Sequence, residues 1–244
     1  MGSLPTALQL YSVRDHMETD VAGTLKRVKD IGYDAVEVAG LCGLDATEYK
    51  RLCDDARLRP VSMHVMIEEV TGNPNGAISA AKTLGVDYVV VPCMSGDWVE
   101  NAQALDTAGA RMRAAGLTLC YHNHDMEMAE LDGKRVFDIV FEQARPENLA
   151  TQIDTAWVQI GGADPVALLG QYAGRCPTVH VKDYVEIPDG HEFVPVGEGC
   201  MDWPAVLEAA EAAGARWFIV EQDTWGDADS IECARTSAAF LARC

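Results

Sequence analysis

The chain has 244 residues, 48% hydrophobic and 23% charged, a composition that excludes a disordered or fibrous protein. Its 19 Lys and Arg stand against 38 Asp and Glu, a formal net charge of −19 that opposes nucleic acid and anionic membranes as partners. No apolar run approaches the ~18 residues of a membrane span, and MGSLPTALQLYSVRD lacks the basic start and apolar stretch of a secretory signal, so a cytoplasmic location is expected.

Short apolar runs alternate with amphipathic stretches from end to end. Thr6–Leu10 reads as the first strand, followed by a helix over Val21–Ile31 with apolar residues at Val21, Leu25, Val28 and Ile31. Strand Ala35–Val38 leads to a helix over Asp45–Ala56, where Asp45 is an N-cap and Glu48 stands three residues on. Strand Val61–Val65, helix Ala77–Leu84, strand Tyr88–Val91 and helix Trp98–Ala115 come next. Strand Leu117–Tyr121, helix Val136–Ala144, strand Ala150–Ile153 and helix Pro165–Tyr172 follow. The chain closes with strand Thr178–Val181, helix Pro204–Ala213, strand Trp217–Val220 and helix Ser230–Leu241. Several strands are β-branched and four to six residues long, as buried parallel strands are. Gly32, Gly85, Gly116 and Gly214 follow helical stretches, where glycine suits a left-handed C-cap.

Eight strands alternating with eight helices fit a closed parallel barrel or a doubly wound open sheet. A nucleotide-binding sheet carries a glycine fingerprint after its first strand. Here that place reads QLYSVRDH, without glycine. A single-domain (β/α)8 TIM barrel over residues 1–244 is therefore predicted. The eight cysteines form no CxxC pair and read as reduced thiols, several of them core residues.

Barrel enzymes build their sites at the C-terminal ends of the strands. In order, those ends supply Gln9 and Tyr11, Glu37, His64, Pro92 and Cys93, His122 and His124, Asp154, His180 and Lys182, and Glu221 and Asp223. The spacing of His122 from His124, and of His180 from Lys182, puts each pair on one face of its strand. So many ionisable groups at one mouth are costly to bury unless they bind a metal or each other. His, Asp and Glu together suit a divalent cation such as Mn, Co, Zn or Mg. Asp154, His180 and Glu221 are the expected ligands, with His122 as the fourth and Glu127 as the alternative. NHDMEM and HVKD would supply the groups that orient them.

The segment Asp183 to Gly199 reads as a structureless loop long enough to be functional. Its Val196-Gly197-Glu198-Gly199 piece could bring backbone N–H groups to a ligand. Trp98, Trp157, Trp203 and Trp225 follow strand ends and could stack on a sugar ring or pack the barrel.

QLYSVRD, DAVEVAG, YHNHDME, IDTAW, HVKD, VGEG with DW, and IVEQD together resemble the xylose-isomerase-like barrel superfamily, in the right order along the whole chain. That group includes sugar-phosphate isomerases and epimerases, inosose dehydratases and endonuclease IV. The resemblance implies a divalent metal on residues from strands 5 to 8, carried over here to Asp154, His180 and Glu221. Ketose 3-epimerases of the group have a Glu on strand 5, whereas this chain has YHNH, with His122 in that position. The implied activity is isomerisation or epimerisation of a sugar or keto-sugar through a metal-stabilised enediolate. The alternative is dehydration of a keto-inositol or keto-sugar, and a non-catalytic sugar-binding barrel is a third reading. Metal-dependent cleavage of damaged DNA needs a basic surface that this chain lacks. Glu221, Glu37, His124 and Lys182 are the acid/base candidates. Gln9, His64 and Glu198 are assigned to substrate contact. The expected partner is a small sugar or cyclitol, and a homo-oligomer is compatible with the sequence.

Overall fold

The computed structural model describes residues 4–244. Eight parallel strands close into a barrel: β1 Thr6–Gln9, β2 Ala35–Val38, β3 Arg59–His64, β4 Tyr88–Val91, β5 Thr118–His122, β6 Ala150–Asp154, β7 Thr178–Val181 and β8 Trp217–Val220. Neighbours in sequence are neighbours in the barrel, and β8 closes it onto β1. Helices cover the outside, and the predicted fold class is the observed one.

The acidic excess has a structural use. Asp20, Asp45, Asp97, Asp164, Asp202 and Asp229 each cap a helix, accepting first-turn backbone N–H groups. Each cap satisfies donors the helix cannot pair and places negative charge at the positive end of its dipole. At the other end Gly85 takes φ +74 where the helix Pro74–Leu84 stops, as its place before β4 required.

Period-two alternation sorts the strand residues between two cores. One set of inward side chains, Ala7, Ala35, Val61 and Ile219, forms one small apolar cluster inside the barrel, and Tyr88, Val90, Cys120 and Ala150 form another. Trp217 packs against both. Outward residues such as Leu8, Val36, Val89, Val91, Leu119, Ile153, Val179 and Val220 join the main core with the helices. Two residues further up the same inward rows, Ala7 gives way to Gln9, Ala35 to Glu37, Cys120 to His122 and Ile219 to Glu221. The barrel interior thus changes from apolar to ionisable toward the C-terminal ends of its strands.

Among the departures from the sequence reading, three lie near the tops of the strands. The segment after β7 is no structureless loop: Asp183–Ile187 and Gly190–Val194 pair as an antiparallel hairpin, with Tyr184 opposite Phe193 and both buried. Its alternating Val185, Ile187, Phe193 pattern and the Asp189-Gly190 turn are ordinary hairpin signals. Short helices also form at Ile67–Gly72 and Thr155–Ile160, in the connections above the strands. Lastly β5 reaches His122 and β6 reaches Asp154, one residue beyond the predicted ends.

Candidate active site

The inward ends of β5 to β8 bring four side chains together. One ligand atom from each of His122, Asp154, His180 and Glu221 lies within 4.8 Å of the others, and all four residues are buried. His180 Nδ1 is 3.0 Å from Glu221 Oε2 and 4.0 Å from Asp154 Oδ2, and His122 Nε2 is also 4.0 Å from that Oδ2. Asp154 Oδ1 accepts the Trp157 N–H and caps the helix Thr155–Ile160. Its Oδ2 is buried and accepts no hydrogen bond. A buried carboxylate oxygen needs a cation beside it, and Lys182 Nζ, 2.9 Å away, fills that place only while also serving Glu221 and Asp223. That oxygen, a Glu221 oxygen and the two imidazole nitrogens are a donor set that fits a divalent cation.

Glu127 does not join this group. Its carboxylate accepts the Tyr121 hydroxyl on one oxygen and the His124 N–H, at 2.8 Å, on the other. It anchors the turn that carries His124, and His122 is the residue from this stretch that enters the cluster.

Beneath the four lies a polar layer centred on Glu37. Its Oε1 accepts from Gln9 Nε2 at 2.8 Å and His180 Nε2 at 2.7 Å and lies 2.9 Å from His64 Nε2, which is also 3.2 Å from Gln152 Oε1; its Oε2 accepts from Gln152 Nε2 at 2.8 Å. Burial would raise the Glu37 pKa, but the charges and hydrogen bonds of His64 and His180 hold it well below the carboxylate range. The same opposition acts on Glu221, where Lys182 and His180 overcome burial. Burial lowers the pKa of His180, yet Glu221 and Glu37 drive it up to about 10. His122 goes the other way: burial, with His180 and His124 nearby, keeps it well below the usual imidazole value, hence neutral.

A cavity of about 840 Å³ opens over the cluster. Among its lining residues are His64, His122, His124, Glu221 and Asp223 on the polar side, and Leu41, Met63, Met66, Trp157 and Phe193 on the apolar side. Among the described residues, no Lys or Arg lines it. The His124 imidazole has no hydrogen-bond partner among the described residues.

The predicted residues therefore separate. His64, His122, His124 and Glu221 reach the cavity, while Asp154 and His180 lie just behind it. Four assignments need correction. Gln9 is fully buried under the site and outside the cavity lining, with its oxygen on the Tyr11 N–H and its amide nitrogen on Glu37. Glu37 is itself buried in that layer, with both carboxylate oxygens engaged and outside the cavity lining. Lys182 is buried with Nζ 2.9 Å from each of Asp154 Oδ2, Glu221 Oε2 and Asp223 Oδ2, three carboxylates that occupy its charge. Glu198 is exposed on a turn outside the cavity lining.

The VGEG piece turns away from any ligand because its N–H groups are already used. Gly197 and Gly199 donate to Asp183 Oδ2 at 2.9 and 3.2 Å, joined by Trp203 Nε1 at 2.7 Å, while Met201 N donates to Oδ1 at 3.2 Å. A Cβ at position 199 would stand 2.1 Å from Asp183 Oδ1, which is why glycine is needed there. Of Trp98, Trp157, Trp203 and Trp225, Trp157 alone lines the cavity. Trp98 and Trp203 pack the core, and Trp225 lies under the Arg14 guanidinium.

Two residues without a predicted role belong to the site. Gln152 stands two residues before Asp154, so strand alternation turns it inward as well. Asp223, two residues past Glu221, holds Lys182 by a hydrogen bond of 2.9 Å and lines the cavity.

The profile of a xylose isomerase-like TIM barrel family matches residues 25–244. An inosose dehydratase from Geobacillus thermodenitrificans (strain NG80-2) is 24% identical over 143 residues, 52% of this chain and 47% of that protein, so the chain spans about half of that relative's length. A solved sugar phosphate isomerase/epimerase from Parabacteroides distasonis ATCC 8503 superposes with a TM-score of 0.86 at 22% identity, covering 99% of this chain and 98% of that one. The IOLI protein, solved with a zinc atom, superposes with a TM-score of 0.76 at 15% identity over 98% of this chain and 97% of that one. At these identities the solved structures establish the shared fold.

Proposed function

This chain belongs to the xylose isomerase-like TIM barrel family, and we propose that it is a divalent-metal-dependent enzyme that enolises a neutral keto-inositol or keto-sugar and eliminates water from it. The carrying observation is the convergence of His122, Asp154, His180 and Glu221 beneath a cavity free of Lys and Arg. A divalent cation held by these four would supply the Lewis acid that makes the proton beside a ketone removable.

The chain's own groups would do the rest. Glu221 reaches the cavity as an ionised carboxylate and is the proton acceptor in this reading. His124, whose ring is unbonded, would protonate the departing hydroxyl. Trp157 and Phe193, 5.1 Å apart by ring centroids, form an apolar wall suited to the C–H face of a ring and to excluding water. A phosphorylated substrate would place its charge beside Glu69, Glu221 and Asp223, with no Lys or Arg among the described lining residues to pair with it. Arg14 lies against Tyr11 and Trp225 and donates to the Asp223 carbonyl, so it is not free for that purpose. The inosose dehydratase relative supports elimination as the outcome.

A second reading, isomerisation or epimerisation, is favoured by His64, another imidazole on the cavity wall that could return the proton. Both readings share the enolisation. The test is metal analysis of the purified protein, then product and deuterium analysis in D₂O over inososes, ketoses and their phosphates. We expect one divalent metal per chain, activity lost to chelation and restored by metal, and turnover of unphosphorylated ketones with loss of water. Sugar binding that survives chelation with no turnover would instead make this a binding barrel.

A further inference from the structure

A histidine ligand must present a lone pair to a cation, and the ring nitrogen that carries the proton is set by what the other nitrogen meets. Two candidate ligands here are histidines, and both have their far nitrogen in the Glu37 layer. His180 Nε2 is 2.7 Å from Glu37 Oε1, and His122 Nδ1 is 3.1 Å from Gln152 Oε1. The Gln152 amide is oriented by its other end, where Nε2 donates to Glu37 Oε2 at 2.8 Å and lies 3.1 Å from Thr178 Oγ1. Gln9 is oriented likewise, because its oxygen accepts the Tyr11 N–H at 3.0 Å and its Nε2 must then face Glu37.

We propose that Glu37 and Gln152 act as a tautomer-setting pair for the two histidines, a role that rests on the metal-site reading above. Glu37 accepts from His180 Nε2–H directly, so Nδ1, whose proton Glu221 Oε2 accepts at 3.0 Å in the metal-free protein, is the nitrogen that a cation would take when that proton leaves. Glu37 also fixes the Gln152 amide, which presents an oxygen to His122 and so places that ring's proton on Nδ1. His122 Nε2, the atom nearer Asp154, is then the lone-pair nitrogen. Glu37 touches one ligand and governs both, as a positioning residue.

The consequence is specific. In Glu37→Gln the new amide faces three N–H groups on one side, Gln9 Nε2, His180 Nε2 and His64 Nε2, and one on the other, Gln152 Nε2. Keeping its oxygen toward Gln9 and His180 leaves two amide nitrogens face to face. Gln152 must then turn over, meet His122 Nδ1 with an N–H and shift that ring's proton to Nε2. The double variant Glu37→Gln/Gln152→Glu exchanges amide and carboxylate while keeping every donor opposite an acceptor.

The experiment is long-range ¹H–¹⁵N spectroscopy of the imidazoles in the metal-free protein, with calorimetric titration of Mn²⁺. The wild type should show His122 protonated at Nδ1. Glu37→Gln should show it protonated at Nε2 and bind Mn²⁺ about 10–100-fold more weakly, the usual loss for a group behind a ligand. The exchange variant should recover both the tautomer and the affinity. Should Glu37→Gln fail to fold, Gln152→Met removes the same acceptor and should also lose the Nδ1–H form. A folded Glu37→Gln that keeps the His122 Nδ1–H form and wild-type affinity would overturn the proposal, as would an exchange variant no better than the single one. A wild type that binds no metal refutes the site reading instead, while the metal-free spectra still decide the tautomer question.

Discussion

Lys182 Nζ lies 2.9 Å from Asp154 Oδ2, the buried carboxylate oxygen that accepts no hydrogen bond. The same ammonium is 2.9 Å from Glu221 Oε2, so two of the four candidate metal ligands already share a built-in positive charge. Burial opposes that charge, but Asp154, Glu221 and Asp223 together raise the Lys182 pKa above its ordinary value. Unit charges 4 Å apart at an effective dielectric near 20 interact by about 4 kcal/mol. A cation entering the cluster therefore meets both attraction from the carboxylates and repulsion from Lys182.

Lys182→Met follows from this balance. Removing the charge leaves buried carboxylates uncompensated, which typically costs about 3–5 kcal/mol. The metal-free variant should melt well below the wild type, and added Mn²⁺ should raise its Tm by more than it raises that of the wild type. Thermal scans with and without metal check this. Equal metal-induced shifts in the two proteins would show that Lys182 does not contend with the site.

Asp154 has two jobs that a substitution can separate. Its Oδ1 caps a helix, so Asp154→Ala should lose about 1 kcal/mol as well as a ligand. Asp154→Asn keeps the cap and removes the anionic ligand. We expect the Asn variant to fold with a native near-ultraviolet spectrum and to lose metal binding and activity. Stoichiometric metal in purified Asp154→Asn would remove this residue from the ligand set.

The turn after the hairpin depends on Asp183, and Gly199 has no room for a side chain beside it. Gly199→Ala forces the Cβ against the carboxylate and should cost about 1–3 kcal/mol, an overpacking penalty. For a chain of this size that is a Tm drop of roughly 2–4 °C per kcal/mol. Calorimetry measures it, and an unchanged Tm would show that the turn can move away.

One ion pair far from the site gives a pH signature. Arg145 hydrogen bonds hold Asp106 down to about 2 from an ordinary 3.8. A carboxylate with a depressed folded pKa stabilises the fold above the unfolded value and loses that contribution as pH falls through the folded one. Asp106→Asn should therefore be less stable than the wild type at pH 5 and above, with the gap closing between about pH 4 and pH 2. A gap independent of pH over that window would mean that the charge is not what stabilises.

Much of this site was legible from strand alternation and strand ends. Asp154, His180 and Glu221 stand at the inward tops of adjacent strands, and their convergence follows from the barrel once the strands are located. What stayed hidden was the depth of each polar group. Gln9, Glu37 and Lys182 also stand at strand ends, yet they lie below or beside the cluster with their polar atoms engaged. Residue type does not reveal which carboxylate meets a substrate and which holds a histidine. Gln152 was missed because an amide on a strand carries no chemical signal of its own. Its importance comes from lying between Glu37 and His122, a relation 115 residues apart in sequence on one side and 30 on the other. The glycine pair at 197 and 199 misled for a related reason: exposed N–H groups in a sequence were already satisfied, in space, by Asp183.

The central claim is that the tops of β5 to β8 hold one divalent metal above the Glu37 layer. The most direct measurement is anomalous diffraction from crystals grown with Mn²⁺, recorded at the manganese edge. We predict a single strong peak within bonding distance of His122 Nε2, Asp154 Oδ2, His180 Nδ1 and a Glu221 oxygen, absent in Asp154→Asn. Manganese bound elsewhere, or no peak among these four in fully soaked crystals, would contradict it.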